Sequence, residues 1–322
     1  MKVVNTGVIG VGALGRHHGR VYASLSECQL IGVSDLNEQR GLEVAREYNT
    51  QYFRDPQELI RRVDGVSVCV PTESHYPIAK EVLGAGVHCL LEKPITAALA
   101  EADELISIAT RNSLVLQIGH IERFNPGIRA VEGLIKNPLF IESHRLAPYT
   151  ERGTDVAVVL DLMIHDIDIV LHFTEAEVER VQAVGIPVLS QEEDIANVRL
   201  ELSSGCIANL TVSRVSREKL RKIRFFQSNM YISVDFLHRD AEVYERIVRE
   251  GKPSIRKMDV AAVEEEPLKL ELESFVESMR SGRNPAVSGK EGRQALEVAL
   301  RTQEQIRETR RQIAGKAGRS PL

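Results

Sequence analysis

The sequence predicts an α/β protein: a doubly wound parallel sheet with helices, followed by an α+β domain with a largely antiparallel open sheet. Three observations lead there. Strand-like and helix-like runs alternate through the first third of the chain, a glycine-rich turn joins the first strand to the first helix, and two-residue alternation takes over after about residue 121. At 322 residues two domains are expected, 1–121 and 122–322.

The elements follow in order. Lys2 to Ile9 is a β-branched run ending in glycine, and a helical stretch covers Gly15 to Leu25. Gln29 to Val33 reads as a second strand. Glu38 to Tyr48 has Leu42, Val44, Ala45 and Tyr48 at helical spacing. Gln51 to Phe53 is a brief strand, and Asp55-Pro56 opens a helix as cap and first-turn proline. Gly65 to Val70 is almost wholly apolar, as a strand covered on both faces must be. A helix from His75 to Ala85, a strand from Val87 to Leu91, a helix from Ala98 to Arg111 and a strand from Leu114 to Gly119 complete the first domain. In the second, Asn197 to Leu202 and Ile207 to Val212 alternate about the turn Ser203-Ser204-Gly205, which is a hairpin with one wet face. Lys222 to Gln227 and Met230 to Phe236 are further strands. Helices at Pro267 to Ser281 and Lys290 to Ala314 precede a loose tail from Gly315 to Leu322.

Gly10-Val11-Gly12-Ala13-Leu14-Gly15 has the strand-turn-helix setting that a dinucleotide fingerprint requires. Gly10 permits the tight turn, Gly12 lets backbone approach a pyrophosphate, and Gly15 lets helix and sheet pack closely. The helix N-terminus offers N–H groups and the positive dipole end to phosphate. Asp35 lies 20 residues after Gly15, ending the second strand. A carboxylate there accepts the ribose hydroxyls and repels a 2′-phosphate. The next cation is as far on as Arg40, so NAD is expected over NADP.

Composition narrows the class. Apolar residues are 43% and charged residues 27%, enough for a sizeable core, and the net charge of −5 does not favour nucleic acid or an anionic membrane as partner. No apolar run approaches a membrane span of about 20 residues. The first strand begins too early to leave room for a signal peptide, which points to the cytoplasm. Cys28, Cys69, Cys89 and Cys206 form no CxxC pair and read as core thiols, and no metal site is expected.

Glu92-Lys93-Pro94 closes a strand, and Pro71, Thr72 and His75 follow the strand before it. With the glycine turn, and with Asp161, His165 and Asp168 in the run 161–168, the chain resembles the Gfo/Idh/MocA oxidoreductases, the group of glucose–fructose oxidoreductase and inositol dehydrogenase. Gly289-Lys290-Glu291-Gly292 is similar to that family's terminal segment. Met163 stands where the family commonly has glycine, which would narrow the backbone approach beside a substrate. The resemblance implies that Lys93, Asp161 and His165 are catalytic. It also implies that Gly10, Gly12, Ala13, Leu14, Gly15, Asp35, Pro71, Thr72, His75, Glu92 and Lys93 serve the cofactor.

Elementary chemistry agrees on roles. Asp161 and His165 share a helical face at four-residue spacing. Oxidising a secondary alcohol needs a base for the hydroxyl proton, which His165 suits. The Lys93 ammonium can stabilise a forming alkoxide, and either residue could take the proton. Asp168 could brace the helix, Asp166 is expected to be solvated, and His120 and His144 read as structural.

Gly119 to Pro126 and Val158 to Asp168 resemble one subgroup, the UDP-N-acetylglucosamine 3-dehydrogenases, which implies oxidation at C3 of a nucleotide sugar. A diphosphate would need cations. Arg123 is the foremost candidate for substrate binding, beside Arg145, Arg152 and the basic run Arg214, Arg217, Lys219, Arg221 and Lys222, although for any one of these a solvated surface charge is the commoner role. The alternatives are an inositol or free-sugar dehydrogenase, a pigment or imine reductase, and a non-catalytic NAD/sugar sensor. The resemblance also implies a homodimer or homotetramer packed through the open sheet from Asn197 to Phe236.

Overall fold

The computed structural model describes residues 3–150, 156–261 and 264–316. The chain divides into two compact units, Met1–Ile121 with Glu265–Arg293, and Glu122–Glu264 with Gln294–Leu322.

The first unit holds six strands, β1 (Val4–Ile9), β2 (Cys28–Ser34), β3 (Gln51–Phe53), β4 (Gly65–Val68), β5 (His88–Glu92) and β6 (Leu116–Gly119). Their order is β3-β2-β1-β4-β5-β6 and every pairing is parallel, the doubly wound arrangement. The order reverses at β1, where β1 pairs with both β2 and β4. Ligands of such sheets bind beyond the strand ends at that point. The expected elements are all present, with ends displaced by a few residues. Asp55 caps the helix Pro56–Ile60 by accepting the Gln57 N–H at 2.9 Å.

A late segment completes this unit. Leu272, Phe275 and Val276, from the helix Pro267–Ser281, pack in one core with Val8, Tyr22, Val33 and Leu90. That helix also buries Glu271 completely, and among the described residues neither of its carboxyl oxygens meets a hydrogen-bond donor. Burial, and then the charge of Glu92, push its carboxyl well above the usual range. The folded protein thus keeps a proton that the unfolded chain releases, so stability falls as pH rises above the ordinary carboxylate value of about 4.3. Glu271→Gln keeps the shape without the ionisation. The loss of melting temperature between pH 5 and pH 8 should shrink in this variant, and an unchanged loss would show that Glu271 is not its source.

The second unit carries eight strands, β7 (Phe140–Leu146), β8 (Val178–Ile186), β9 (Ile195–Leu202), β10 (Ile207–Ser213), β11 (Leu220–Phe226), β12 (Met230–Asp235), β13 (Asp240–Arg249) and β14 (Lys252–Met258). The order is β14-β13-β12-β11-β7-β10-β9-β8, antiparallel except for the β7/β10 pair. One face is apolar: Ile141, Leu210, Ile223, Phe225 and Val234 are buried there with Ile164, Ile167 and Val298 from helices. The helix Gly289–Lys316 is longer than expected and takes in Gly315 and Lys316. The rest of the expected tail, 317–322, lies outside the described residues. No helix among the described residues is long and apolar enough to cross a membrane.

Candidate active site

The first unit places its candidate residues at the ends of β1, β2, β4 and β5. Gly10 has φ +85°, and a Cβ there would meet the Cys69 carbonyl oxygen at 2.7 Å. A Cβ on Gly15 would fall 1.9 Å from the Gly10 carbonyl oxygen, a clash no rotamer relieves. A Cβ on Gly12 would meet nothing within 4 Å, so this glycine leaves open space above the backbone. The helix Gly15–Ser24 starts directly after, with no side chain capping its N–H groups. Open backbone at an uncapped helix N-terminus fits a pyrophosphate.

Asp35 ends this binding edge. Its Oδ2 accepts the Val11 N–H at 2.8 Å and its Oδ1 accepts the Asn37 N–H at 2.8 Å. Arg40 folds back onto it with Nε at 3.1 Å and Nη2 at 2.7 Å. Burial opposes ionisation of this carboxyl, but the Arg40 guanidinium and the two N–H groups outweigh it and hold it below the usual carboxylate range. Leu36, the next residue, is fully exposed.

Lys93 is half-buried directly after β5, and the Lys93–Pro94 peptide is cis. Glu92 before it is fixed at both oxygens: Oε1 lies 3.1 Å from His18 Nε2, and Oε2 accepts the Lys93 N–H at 3.3 Å. A Cβ on Gly119 would stand 3.0 Å from Oε2, so glycine leaves room for the carboxylate. Burial works against the Glu92 charge, but the His18 hydrogen bond and the charges of His18 and Lys93 keep its carboxyl below the usual range. Sequence reasoning missed His18. Its signal is position: on the helix that the glycine turn opens, it faces the sheet and is only 1% exposed. His18, Cys69 and Glu92 bring donor atoms within 4.8 Å of one another. Burial pushes the Cys69 thiol well up.

His75 does not sit as expected for a cofactor residue. It is 1% exposed, with Nδ1 2.8 Å from the Pro94 carbonyl oxygen and Nε2 2.9 Å from that of Val70. Burial holds the ring towards its neutral form, so its single N–H donates to one of these carbonyls, and the side chain sits between the exits of β4 and β5. Thr72 opens a 3₁₀ turn, Thr72–Ser74, just ahead of it, and Pro71 is exposed.

In the second unit the candidate residues Asp161 and His165 are both half-buried. Asp161 lies in a π-helical turn, Val159–Met163, which leads into the helix Ile164–Thr174 carrying His165. The local hydrogen bonds therefore span five residues, so the α-helical spacing rule does not strictly hold between the pair. Such wide turns recur at functional sites. Met163 departs from expectation: its side chain is fully buried in the core and does not narrow an approach to substrate.

Three further charges are corrected by their burial. Asp166 is 1% exposed rather than solvated. It takes Arg145 through Nε at 2.9 Å and Nη2 at 3.1 Å, and Ser143 Oγ at 3.0 Å. Arg145, neither surface charge nor open cation, also donates Nη1 to Glu122 at 2.9 Å. Arg123, the foremost candidate for a diphosphate, is a two-pronged partner of Asp168 at 2.6 and 2.9 Å, and both side chains are buried. Asp168 therefore braces its helix. His120 is buried, His144 is half-buried beside Arg224, and Arg152 lies outside the described residues.

A parallel doubly wound sheet with a glycine turn, a distal acid and a lysine at a strand exit defines a nicotinamide-dependent oxidoreductase. Residues 4–120 match the model of the oxidoreductase family with an NAD-binding Rossmann fold, and residues 128–232 match the GFO/IDH/MocA C-terminal domain. The UDP-N-acetylglucosamine 3-dehydrogenase of Acidithiobacillus ferrooxidans is 41% identical over 92% of this chain and 95% of its own. A solved structure of that enzyme superposes with TM-score 0.89, at 39% identity over 95% of this chain and 98% of that one. The myo-inositol 2-dehydrogenase of Thermotoga maritima is 27% identical over 94% of this chain and 96% of its own. The chain belongs to the Gfo/Idh/MocA oxidoreductase family and is a dehydrogenase.

Proposed function

We propose that this dehydrogenase oxidises C3 of UDP-N-acetylglucosamine to the 3-keto sugar, with NAD as cofactor. The near full-length 41% identity to an enzyme of that name carries the substrate. NAD supplies the hydride acceptor when bound. Gly10, Gly12, Ala13, Leu14 and Gly15 would hold its pyrophosphate, with Gly15 acting through packing, and Asp35 its adenosine ribose. Pro71, Thr72 and Glu92 would complete the edge, and exposed Leu36 offers apolar surface to an adenine. As the hydroxyl is oxidised, its proton passes to His165 and the hydride leaves C3. Lys93 hydrogen-bonds the reacting oxygen and stabilises its negative charge, while Asp161 orients the histidine or a neighbouring hydroxyl. Purified protein with NAD should form NADH, read by absorbance, faster with UDP-N-acetylglucosamine than with other UDP-sugars, free N-acetylglucosamine or inositols. Preference for an inositol would replace this reading, and no turnover of any sugar would make the chain a sensor.

The preference for NAD rests on Asp35. Its carboxylate would repel a 2′-phosphate and also keeps Arg40 turned inward. In Asp35→Ser that repulsion is gone and Arg40 is released. The ratio of kcat/KM for NADP over NAD should rise by about 10–100-fold, or about 1.4–2.8 kcal/mol, and an unmoved ratio would refute the role of Asp35.

A homodimer or homotetramer through the outer face of the eight-stranded sheet is part of the same proposal. Support comes from an aromatic row across β7, β11, β12 and β13. Phe140 and Phe226 have ring centroids 5.5 Å apart, Phe226 and Tyr231 5.1 Å, and Tyr231 and Tyr244 6.0 Å. Tyr231→Glu should lower the mass found by light scattering to that of a smaller species.

A further inference from the structure

Of the eight cations considered for a diphosphate, four have partners among the described residues. Arg123 pairs with Asp168, Arg145 with Asp166 and Glu122, and Lys222 with Asp235 at 3.2 Å. Arg214 is buried beside Asp194 and donates to the Val156 carbonyl. Arg217 and Lys219 are exposed in the segment between β10 and β11.

Arg221 differs from all of these. It lies on β11 directly opposite Arg145 on β7. By strand alternation it faces the side on which Ile223 and Phe225 are buried, as Arg145 does with Ile141 and Ser143. Among the described residues its guanidinium makes no hydrogen bond, and its Nε is buried without an acceptor. Like charges directly opposite across a sheet are unfavourable. Burial and Arg145 disfavour the Arg221 cation, while Glu122, Asp166 and Asp161 favour it. The fork is thus held half out of water, within electrostatic reach of Asp161, with its own donors unspent. An oxyanion would complete it.

We propose that Arg221 is a specificity-determining residue that binds a phosphoryl oxygen of the substrate. The inference rests on the reading of the chain as a nucleotide-sugar dehydrogenase and names the residue that reads the anion. In such a substrate the phosphate on the anomeric oxygen is only a few bonds from C3. A cation serving it must therefore lie close to the groups that act at C3; Arg221 stands opposite Arg145, which binds Asp166, the chain neighbour of His165.

Calorimetric titration of the NAD-loaded protein with UDP and with glucose 6-phosphate tests this. Wild type should bind UDP, and Arg221→Gln should weaken it by about 10–100-fold, with NAD affinity little changed. Arg221→Lys retains a point charge without the fork and should fall between them. Were Arg221→Gln not to fold, the lysine variant alone decides: weakened UDP binding supports the assignment and wild-type binding overturns it. Unchanged UDP affinity in Arg221→Gln, or no binding of either ligand to wild type, also overturns it. If wild type binds glucose 6-phosphate but not UDP, and Arg221→Gln loses that binding, Arg221 stands and the nucleotide part of the substrate reading falls.

Discussion

Lys93→Met should lower kcat/KM for sugar oxidation by about 10²–10³-fold, the usual loss when one donor to a developing oxyanion is removed. Methionine keeps the length of the side chain and removes only the ammonium. The Glu92 anchor, made by His18 and a main-chain N–H, does not need that charge to form. NAD affinity should therefore stay near wild type. His165→Asn should cost about 10²–10⁴-fold through loss of a base. Its diagnostic is the pH profile. A base works only unprotonated, so wild-type kcat/KM falls on the acid side, and that fall should be missing from the residual activity of the variant. Near wild-type rates in both variants would refute the assignment. If the acid-side fall survives in His165→Asn and vanishes in Lys93→Met, the proton goes to the lysine instead.

Asp166→Ala should be the most damaging change to stability. It removes both acceptors of Arg145 Nε and Nη2 and one acceptor of Ser143, leaving a buried guanidinium with Glu122 as its remaining carboxylate. Burial disfavours that cation and the two carboxylates more than compensate. Stranding a buried charge in this way costs about 3–5 kcal/mol, against a total stability of about 5–15 kcal/mol. The melting temperature should drop by on the order of 10 °C, or the protein should fail to accumulate in soluble form. Arg145→Met with Asp166→Leu and Glu122→Gln should recover much of the loss, because no lone charge remains. A drop of less than about 1 kcal/mol for Asp166→Ala would mean the network is solvated in solution.

What the sequence made legible was local. The glycine turn, Asp35 and the strand exit at Lys93 each declare themselves within a few residues, because backbone geometry and short-range spacing set them. The His18–Glu92 bond joins positions 74 apart, and no spacing announces it. Charges misled for a related reason: sequence gives the sign of Arg123, Arg145 and Asp166 but not their burial, so buried partners read as substrate cations or surface groups. The strand β7 escaped notice because its inward positions are Ile141, Ser143 and Arg145, and the two polar ones break the apolar alternation that marks a strand. In β13 only Val243 is buried, which leaves too little pattern to read.

The first unit is assembled from two stretches separated by 143 residues of the other unit, Glu122–Glu264. During synthesis Val8, Tyr22, Val33 and Leu90 emerge first, while Leu272, Phe275 and Val276, which close the same core, emerge only after residues 122–264. The nucleotide-binding half cannot finish folding as it leaves the ribosome and must wait, partly open, until Glu122–Glu264 of the other unit and then its own last segment have been made. A gene fragment ending at residue 121 would encode a sheet lacking one wall of its core, and attempts to produce that half alone should carry residues 265–293 by a linker or by circular rearrangement of the chain.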